Sequence, residues 1–170
     1  MKVKMKGLSK KEVEIISWLE FHGRYFFTSP DIDSFVKNRT QRYNVIKRLV
    51  KKGRIIKLNR AKYYLVPIKA RSGSWSENPF IIADEACNGK EYFIGGWAAA
   101  NYWKLTDQIP MRIDVYTTRR QGEIEALNTK ISFHRTSKKR LEKAVMKSVQ
   151  GHSFRILSRK EARKWMKSRQ

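Results

Sequence analysis

In the first part of the chain, apolar positions recur at helical spacing and are bracketed by recognisable start and stop residues. Ser9-Lys10-Lys11-Glu12 forms a capping box, in which the serine hydroxyl and the glutamate carboxylate each satisfy a free amide. Val13, Ile16, Leu19 and Glu20 follow at helical spacing, with Ile15 and Trp18 beside them, and Gly23 ends the pattern. This predicts a helix from Ser9 to His22. A second start lies at Thr28-Ser29-Pro30-Asp31, with Ser29 as N-cap, Pro30 at the first helical position and Asp31 complementing the dipole. Ile32, Phe35 and Val36 give that short helix an apolar face, and Asn38-Arg39-Thr40 breaks it.

A third helix is expected from Thr40 to Lys52, stopping at Gly53. At 100° per residue, Tyr43, Ile46, Leu49 and Val50 fall on one side. Gln41, Asn44, Arg48 and Lys51 fall on the other, with Thr40 and Lys47 on the flank. The outer face is therefore basic and amide-bearing, the chemistry that reaches guanine and adenine edges in a major groove. Arg54–Leu58 and Tyr63–Val66 are two β-rich runs around the polar turn Asn59-Arg60-Ala61-Lys62, which reads as a hairpin with Arg60 and Lys62 at its tip.

Helix, helix, helix, hairpin is the order of a winged helix-turn-helix, and residues 1–68 are read as that domain. The third helix would enter the major groove and the wing would lie along the phosphates. The candidate DNA-binding residues are Arg39, Thr40, Gln41, Arg42, Asn44, Lys47, Arg48 and Lys51 in the helix, with Arg60 and Lys62 in the wing. The competing reading of the same fold is a wing used for protein contacts.

Residues 69–77 are polar and read as a linker, in which Trp75 is expected to pack down. Residues 78–170 read as a small mixed α/β domain, so the fold class expected for the chain is α+β. Asn78-Pro79 opens a helix that runs to Cys87 and stops at Asn88-Gly89. Tyr92–Ile94 is a strand, Gly95-Gly96 opens a small-residue helix, and Arg112–Thr117 alternates as a strand with Ile113, Val115 and Thr117 inward. Lys130–His134 and Phe154–Leu157 are further strands. Leu141, Val145 and Met146 fit a helix whose outer face carries Lys138, Lys139, Arg140, Lys143 and Lys147. Ser158-Arg159-Lys160-Glu161 is a second capping box, opening a helix with Ala162, Trp165 and Met166 inside.

Composition sharpens this picture. The 170 residues carry 38 Lys and Arg against 15 Asp and Glu, a formal charge of +23. Apolar residues make up 41% of the chain, enough for a packed core, which argues against a disordered basic tail. A field of this size favours phosphate polyanions as partners. It is strongest early: residues 1–71 hold 19 Lys and Arg against 5 Asp and Glu, and residues 72–170 hold 19 against 10. No apolar run approaches bilayer length, and the basic N-terminus leads into an amphipathic segment rather than an apolar one. A cytoplasmic location with no membrane partner is therefore expected. Cys87 is the single cysteine, so no intramolecular disulfide forms, and it reads as a small core residue.

Catalytic chemistry finds little support in the residue pattern. His22, His134 and His152 have no second metal-type ligand at helical or hairpin spacing, so no metal site or cofactor is expected. Asp84-Glu85, Asp114 and Glu123-x-Glu125 are the carboxylates from which a metal-dependent nuclease could be built. Gly95-Gly96 lacks the Gly-Lys-Ser/Thr ending of a phosphate loop. The chain is read as a non-enzyme.

The run Tyr92 to Arg120, YFIGGWAAANYWKLTDQIPMRIDVYTTRR, resembles the core of the AbiEi-type antitoxin family. There a strand, a glycine, an alanine-rich helix, a Leu-Thr-(Asp/Glu)-Gln-Ile-Pro turn and a strand recur in this order. The resemblance extends from Ser9 through Thr118, and the Leu105–Pro110 turn is its most specific part. It implies an N-terminal winged helix-turn-helix that binds inverted repeats in its own promoter and represses the operon. It also implies a C-terminal portion that takes part in neutralising a nucleotidyltransferase-like toxin. The expected partners are double-stranded DNA, bound by the monomer or by a homodimer on paired half-sites, and a cognate toxin or a protein of the transcription machinery. Three functions follow in order: a sequence-specific DNA-binding regulator, an antitoxin acting by protein contact, and a metal-dependent nuclease.

Overall fold

The computed structural model describes residues 7–68 and 77–169. The fold is mixed α+β, with two sheets, and the chain divides into two compact units, Met1–Trp75 and Ser76–Gln170. The segment read as a linker lies, apart from Glu77, outside the described residues, as does Trp75.

In the first unit, α1 (Lys10–Phe21) begins at the expected box. The Ser9 N–H donates to Glu12 Oε2 at 2.8 Å, and Ser9 Oγ accepts from the Glu12 N–H at 3.3 Å. Strand β1 (Phe26–Thr28) follows, which the sequence pattern did not announce. The expected second helix is a single 3-10 turn, Ser29–Ile32. Its cap is Thr28 rather than Ser29: the Thr28 N–H and hydroxyl donate to Asp31 Oδ2 at 2.6 and 2.7 Å. With Phe26–Thr28 drawn into a sheet, the chain enters the turn from an extended backbone and has only a few residues before the next helix.

That helix, α2, runs Arg39–Lys51 and is capped by Asn38, whose Oδ1 accepts from the Gln41 N–H at 3.1 Å. The triplet read as a breaker is thus its start signal. Strands β2 (Ile55–Lys57) and β3 (Lys62–Leu65) form the hairpin, and the sheet order is β1-β3-β2, antiparallel throughout. Ile15, Ile16 and Leu19 of α1 meet Val45, Ile46 and Leu49 of α2, with Phe27, Ile32, Ile55 and Leu65 closing the core. Tyr43 and Val50, expected inward, are exposed at 57% and 38%, and Val45 takes the inward position instead. The buried stripe of α2 is narrower than the pattern implied, since only Val45, Ile46 and Leu49 of this helix join the core.

The second unit is built on a six-stranded mixed sheet. Helix α3 (Pro79–Ala86), β4 (Tyr92–Gly95), α4 (Gly96–Tyr102) and β5 (Ile113–Thr117) come first. Strands β6 (Gly122–Ala126) and β7 (Thr129–Arg135), the short helix α5 (Lys138–Leu141), β8 (Ala144–Val149), β9 (His152–Leu157) and α6 (Arg159–Lys167) follow. The strand order is β6-β7-β5-β4-β9-β8. Strands β5 and β7 are parallel, as are β4 and β9, and the remaining pairs are antiparallel. Helix α3 packs on β4, β5 and β9, and α4 on β4, β5 and α6. Ile82, Ala99, Ala100, Ile94, Val115, Phe154 and Ile156 are fully buried in this core. Ile113, Val115 and Thr117 point inward as the alternation predicted.

The expected helix through Leu141, Val145 and Met146 is overturned. Only Lys138–Leu141 is helical, and Ala144–Val149 is the edge strand β8, paired with β9 from Ala144↔Leu157 to Val149↔His152. The cause is the two-residue turn Gln150-Gly151, with φ of 52° and 77°. Two left-handed residues match the twist of a hairpin and fold the two flanking segments onto each other. The second capping box is made by halves: Ser158 Oγ accepts from the Glu161 N–H at 3.4 Å, while the Glu161 carboxylate turns to Lys143 Nζ at 2.9 Å.

Candidate nucleic-acid interface

Helix α2 is fixed to α1 by one buried carboxylate. Glu12 accepts from Lys52 Nζ at 2.6 Å and from Arg48 Nε at 3.2 Å, besides the Ser9 N–H. Burial alone would raise its pKa, but hydrogen bonds from Lys52, Ser9 and Arg48 outweigh that and hold it at about 2. The rotation of α2 about its own axis, and so the identity of its outward residues, is set by this anchor and by the Val45–Ile46–Leu49 stripe.

The most outward row is Thr40, Asn44, Lys47 and Lys51, all exposed, with Arg39 and Gln41 exposed beside it. Tyr43 flanks the row on one side, an aromatic that the helical pattern had assigned to the core. Only its neighbourhood of exposed polar residues could have marked it. Arg48 lies on the other flank, half-exposed and tied to Glu12. Arg42 is not on the outer face: Nε donates to Ser29 Oγ at 3.2 Å, and Nη1 to the Val36 and Lys37 carbonyls at 3.1 and 3.3 Å. It clamps the 3-10 turn and the segment after it against α2, because its position adjoins the buried stripe. Helix α2 contains no acidic residue. Beside it, Lys11, Lys37, Asn38, Gln41, Asn44 and Arg48 border a groove of about 510 Å³.

The hairpin tip is ordered by Asn59, whose Oδ1 accepts from the Ala61 and Lys62 N–H groups at 2.9 and 2.8 Å. Such a closed turn is a common use of asparagine. Arg60 is exposed at the tip, and Lys62 is half-buried at the start of β3.

The carboxylates considered for catalysis are distributed over the second unit. Asp84 accepts from the Tyr92 hydroxyl at 2.6 Å through Oδ1, and its Oδ2 lies 2.9 Å from His152 Nε2. Asp84, Glu85 and His152 each place one ligand-type atom within 4.8 Å of the others. This grouping joins α3 to β9 across 68 positions of sequence, a distance that no local spacing rule covers. Both Asp84 oxygens are already engaged. Asp114, which the alternation places on the outer side of the strand, is buried, and it pairs with His134 Nε2 at 2.8 Å and Arg112 Nε at 3.3 Å. Glu123 accepts from Ser132 Oγ at 3.1 Å. Asp84, Asp114 and Glu123 thus each engage partners of their own. Cys87 is buried, and burial pushes its thiol up to about 12.

In fold, the chain is similar to the RV2827C protein of Mycobacterium tuberculosis. The TM-score against that crystal structure is 0.54 at 14% sequence identity, over 79% of this chain and 48% of that one. The chain spans about half the length of that protein, and at this identity the likeness is one of fold alone. No family model matches the chain, and no curated protein matches it.

Proposed function

We propose that the chain is a double-stranded DNA-binding transcriptional regulator, and that its first unit is a winged helix-turn-helix with α2 as the groove-entering helix. The supporting observation is the exposed row Thr40–Asn44–Lys47–Lys51 on a helix without an acidic residue. Amides and cations in one row can reach base edges, while the 3-10 turn stands where the first helix of the motif would be. The β2–β3 hairpin is the wing, and Arg60 is its phosphate contact.

The reading predicts two different kinds of loss. Asn44→Ala should cost about 1–3 kcal/mol on a preferred duplex and little on a scrambled one. Arg60→Ala should weaken both duplexes alike. Gel-shift titrations on duplexes from upstream of the coding sequence, against scrambled controls, measure this. Equal loss for Asn44→Ala on both would remove α2 from the groove.

The resemblance to AbiEi-type antitoxins adds a second reading, an antitoxin that acts by protein contact. The observation that favours it is the turn carrying that resemblance, where Ile109 and Met111 are exposed at 81% and 93%. Co-expression with a neighbouring toxin gene tests it, with Ile109→Asp/Met111→Asp expected to abolish growth rescue.

A further inference from the structure

The fully exposed residues of helix α6 are all cations. Arg159, Lys160, Arg163, Lys164 and Lys167 are all exposed and line an open depression of about 460 Å³. The single acid of the helix, Glu161, is shared by Lys143 at 2.9 Å and Lys164 at 3.4 Å. Among the described residues, Arg159, Lys160, Arg163 and Lys167 form no ion pair with a carboxylate. Like charges this close repel one another, so the array is best stabilised by an external polyanion.

The geometry of the row narrows the partner. Arg159, Arg163 and Lys167 stand at i, i+4 and i+8, so they span about 12 Å of helix. One strand of a duplex rises about 3.4 Å per phosphate along its axis while winding around it, so a row of this length offers each of its three cations a phosphate. The apolar side of α6 is already spent inside the unit. Ala162 is fully buried, and Trp165 meets Trp97 edge-on with ring centres 5.2 Å apart. A basic amphipathic helix that binds membranes or enters a protein groove does so with its apolar face. Here that face is turned toward the unit, with Ala162 buried and Trp165 and Met166 half-buried. The outward side chains are all cations, with no amide to pair with adenine.

We infer that the outer face of α6 is a second nucleic-acid contact, specific for phosphate backbone and indifferent to sequence. It is independent of the α2 reading, since it rests on different residues in a different unit.

The test uses the full chain and a labelled random-sequence duplex, with affinity followed from 50 to 200 mM salt. Each phosphate contact contributes about 0.9 to the slope of log affinity against log salt. The variant R159Q/R163Q/K167Q should therefore show a slope shallower by about 2.7, which makes its loss of affinity over that range about 40-fold smaller. The charge-preserving variant R159K/R163K/K167R should keep the full slope. R163Q alone, which leaves most of the helix untouched, should lower it by about 0.9.

An unchanged slope in the triple variant overturns the proposal, as does a duplex that the wild-type chain fails to hold at 50 mM salt. An equal slope change in the charge-preserving variant also overturns it, by assigning the effect to packing. Loss of binding to phosphatidylserine vesicles with the duplex slope intact would assign the face to membranes instead. Failure of the α2 reading looks different: the wild-type chain would bind preferred and scrambled duplexes equally, while the slope difference at α6 persisted.

Discussion

Glu12 is the residue on which the placement of α2 turns. It is fully buried and held by two cations and a backbone amide, and its pKa lies near 2 instead of the usual 4.5. A depressed carboxylate contributes stability that is present above its unfolded pKa and lost as pH falls through its folded one. For Glu12 that window runs from about pH 4.5 down to 2. Glu12→Gln keeps the acceptor for the Ser9 amide and loses the charge that holds Lys52. Urea unfolding followed by tryptophan fluorescence should show a loss of about 2–3 kcal/mol at pH 7, and the gap to the wild type should close as pH falls below 4.5. Gly96 carries a constraint of another kind. Its φ is 60°, and a Cβ there would stand 2.7 Å from Asp114 Oδ2. Gly96→Ala therefore combines a left-handed backbone with a collision, and should destabilise the second unit by about 2–3 kcal/mol in thermal melts.

Elements differ in how openly the sequence declares them. The termini of α1 and α3 follow from Ser9, Glu12, Asn78 and Pro79, because caps are local chemistry written in adjacent residues. Strand β1 is three residues long and exists only because β3 lies beside it, so Phe26-Phe27-Thr28 carries no signal of its own. The same holds for β8, whose Val145 and Met146 suit a helix or a strand equally by spacing. The sign that decides is Gln150-Gly151, where two left-handed residues fold β8 onto β9. A Cβ on Gly151 meets nothing within 4 Å, so Gly151→Ala tests the backbone conformation alone. It should cost about 1 kcal/mol in denaturant unfolding, whereas a helix through this segment would have been strengthened by alanine. In α2, the outward identity of Asn44, Lys47 and Lys51 was legible from periodicity, and Tyr43 was not. An aromatic is counted as core by default, and only the actual reach of α1 decides which flank of α2 stays uncovered. The inward turn of Arg42 was likewise invisible, since it depends on carbonyls left free when the expected second helix shrinks to one 3-10 turn.

Charge is the property that no single element explains. A surplus of +23 over 170 residues exceeds what α2 and the hairpin can present, and 19 of the 38 cations lie beyond residue 71. Among the described residues few of these are neutralised by contact: the ion pairs of the second unit join acids such as Glu91, Asp114 and Glu161 to one or two cations each, and leave α6 largely unmatched. A chain built this way should bind any duplex weakly and its preferred duplex more tightly, with both affinities falling steeply in salt. If six or more phosphates are contacted in all, raising salt from 50 to 200 mM should reduce affinity by at least about 10³-fold. The ratio between preferred and random duplex should change little over the same range, since base contacts release few counterions. Fluorescence anisotropy on both duplexes measures the two quantities together. A ratio that collapsed with salt would place the discrimination in charge rather than in Asn44 and its neighbours, and the role given to α2 would pass to the backbone-contacting cations.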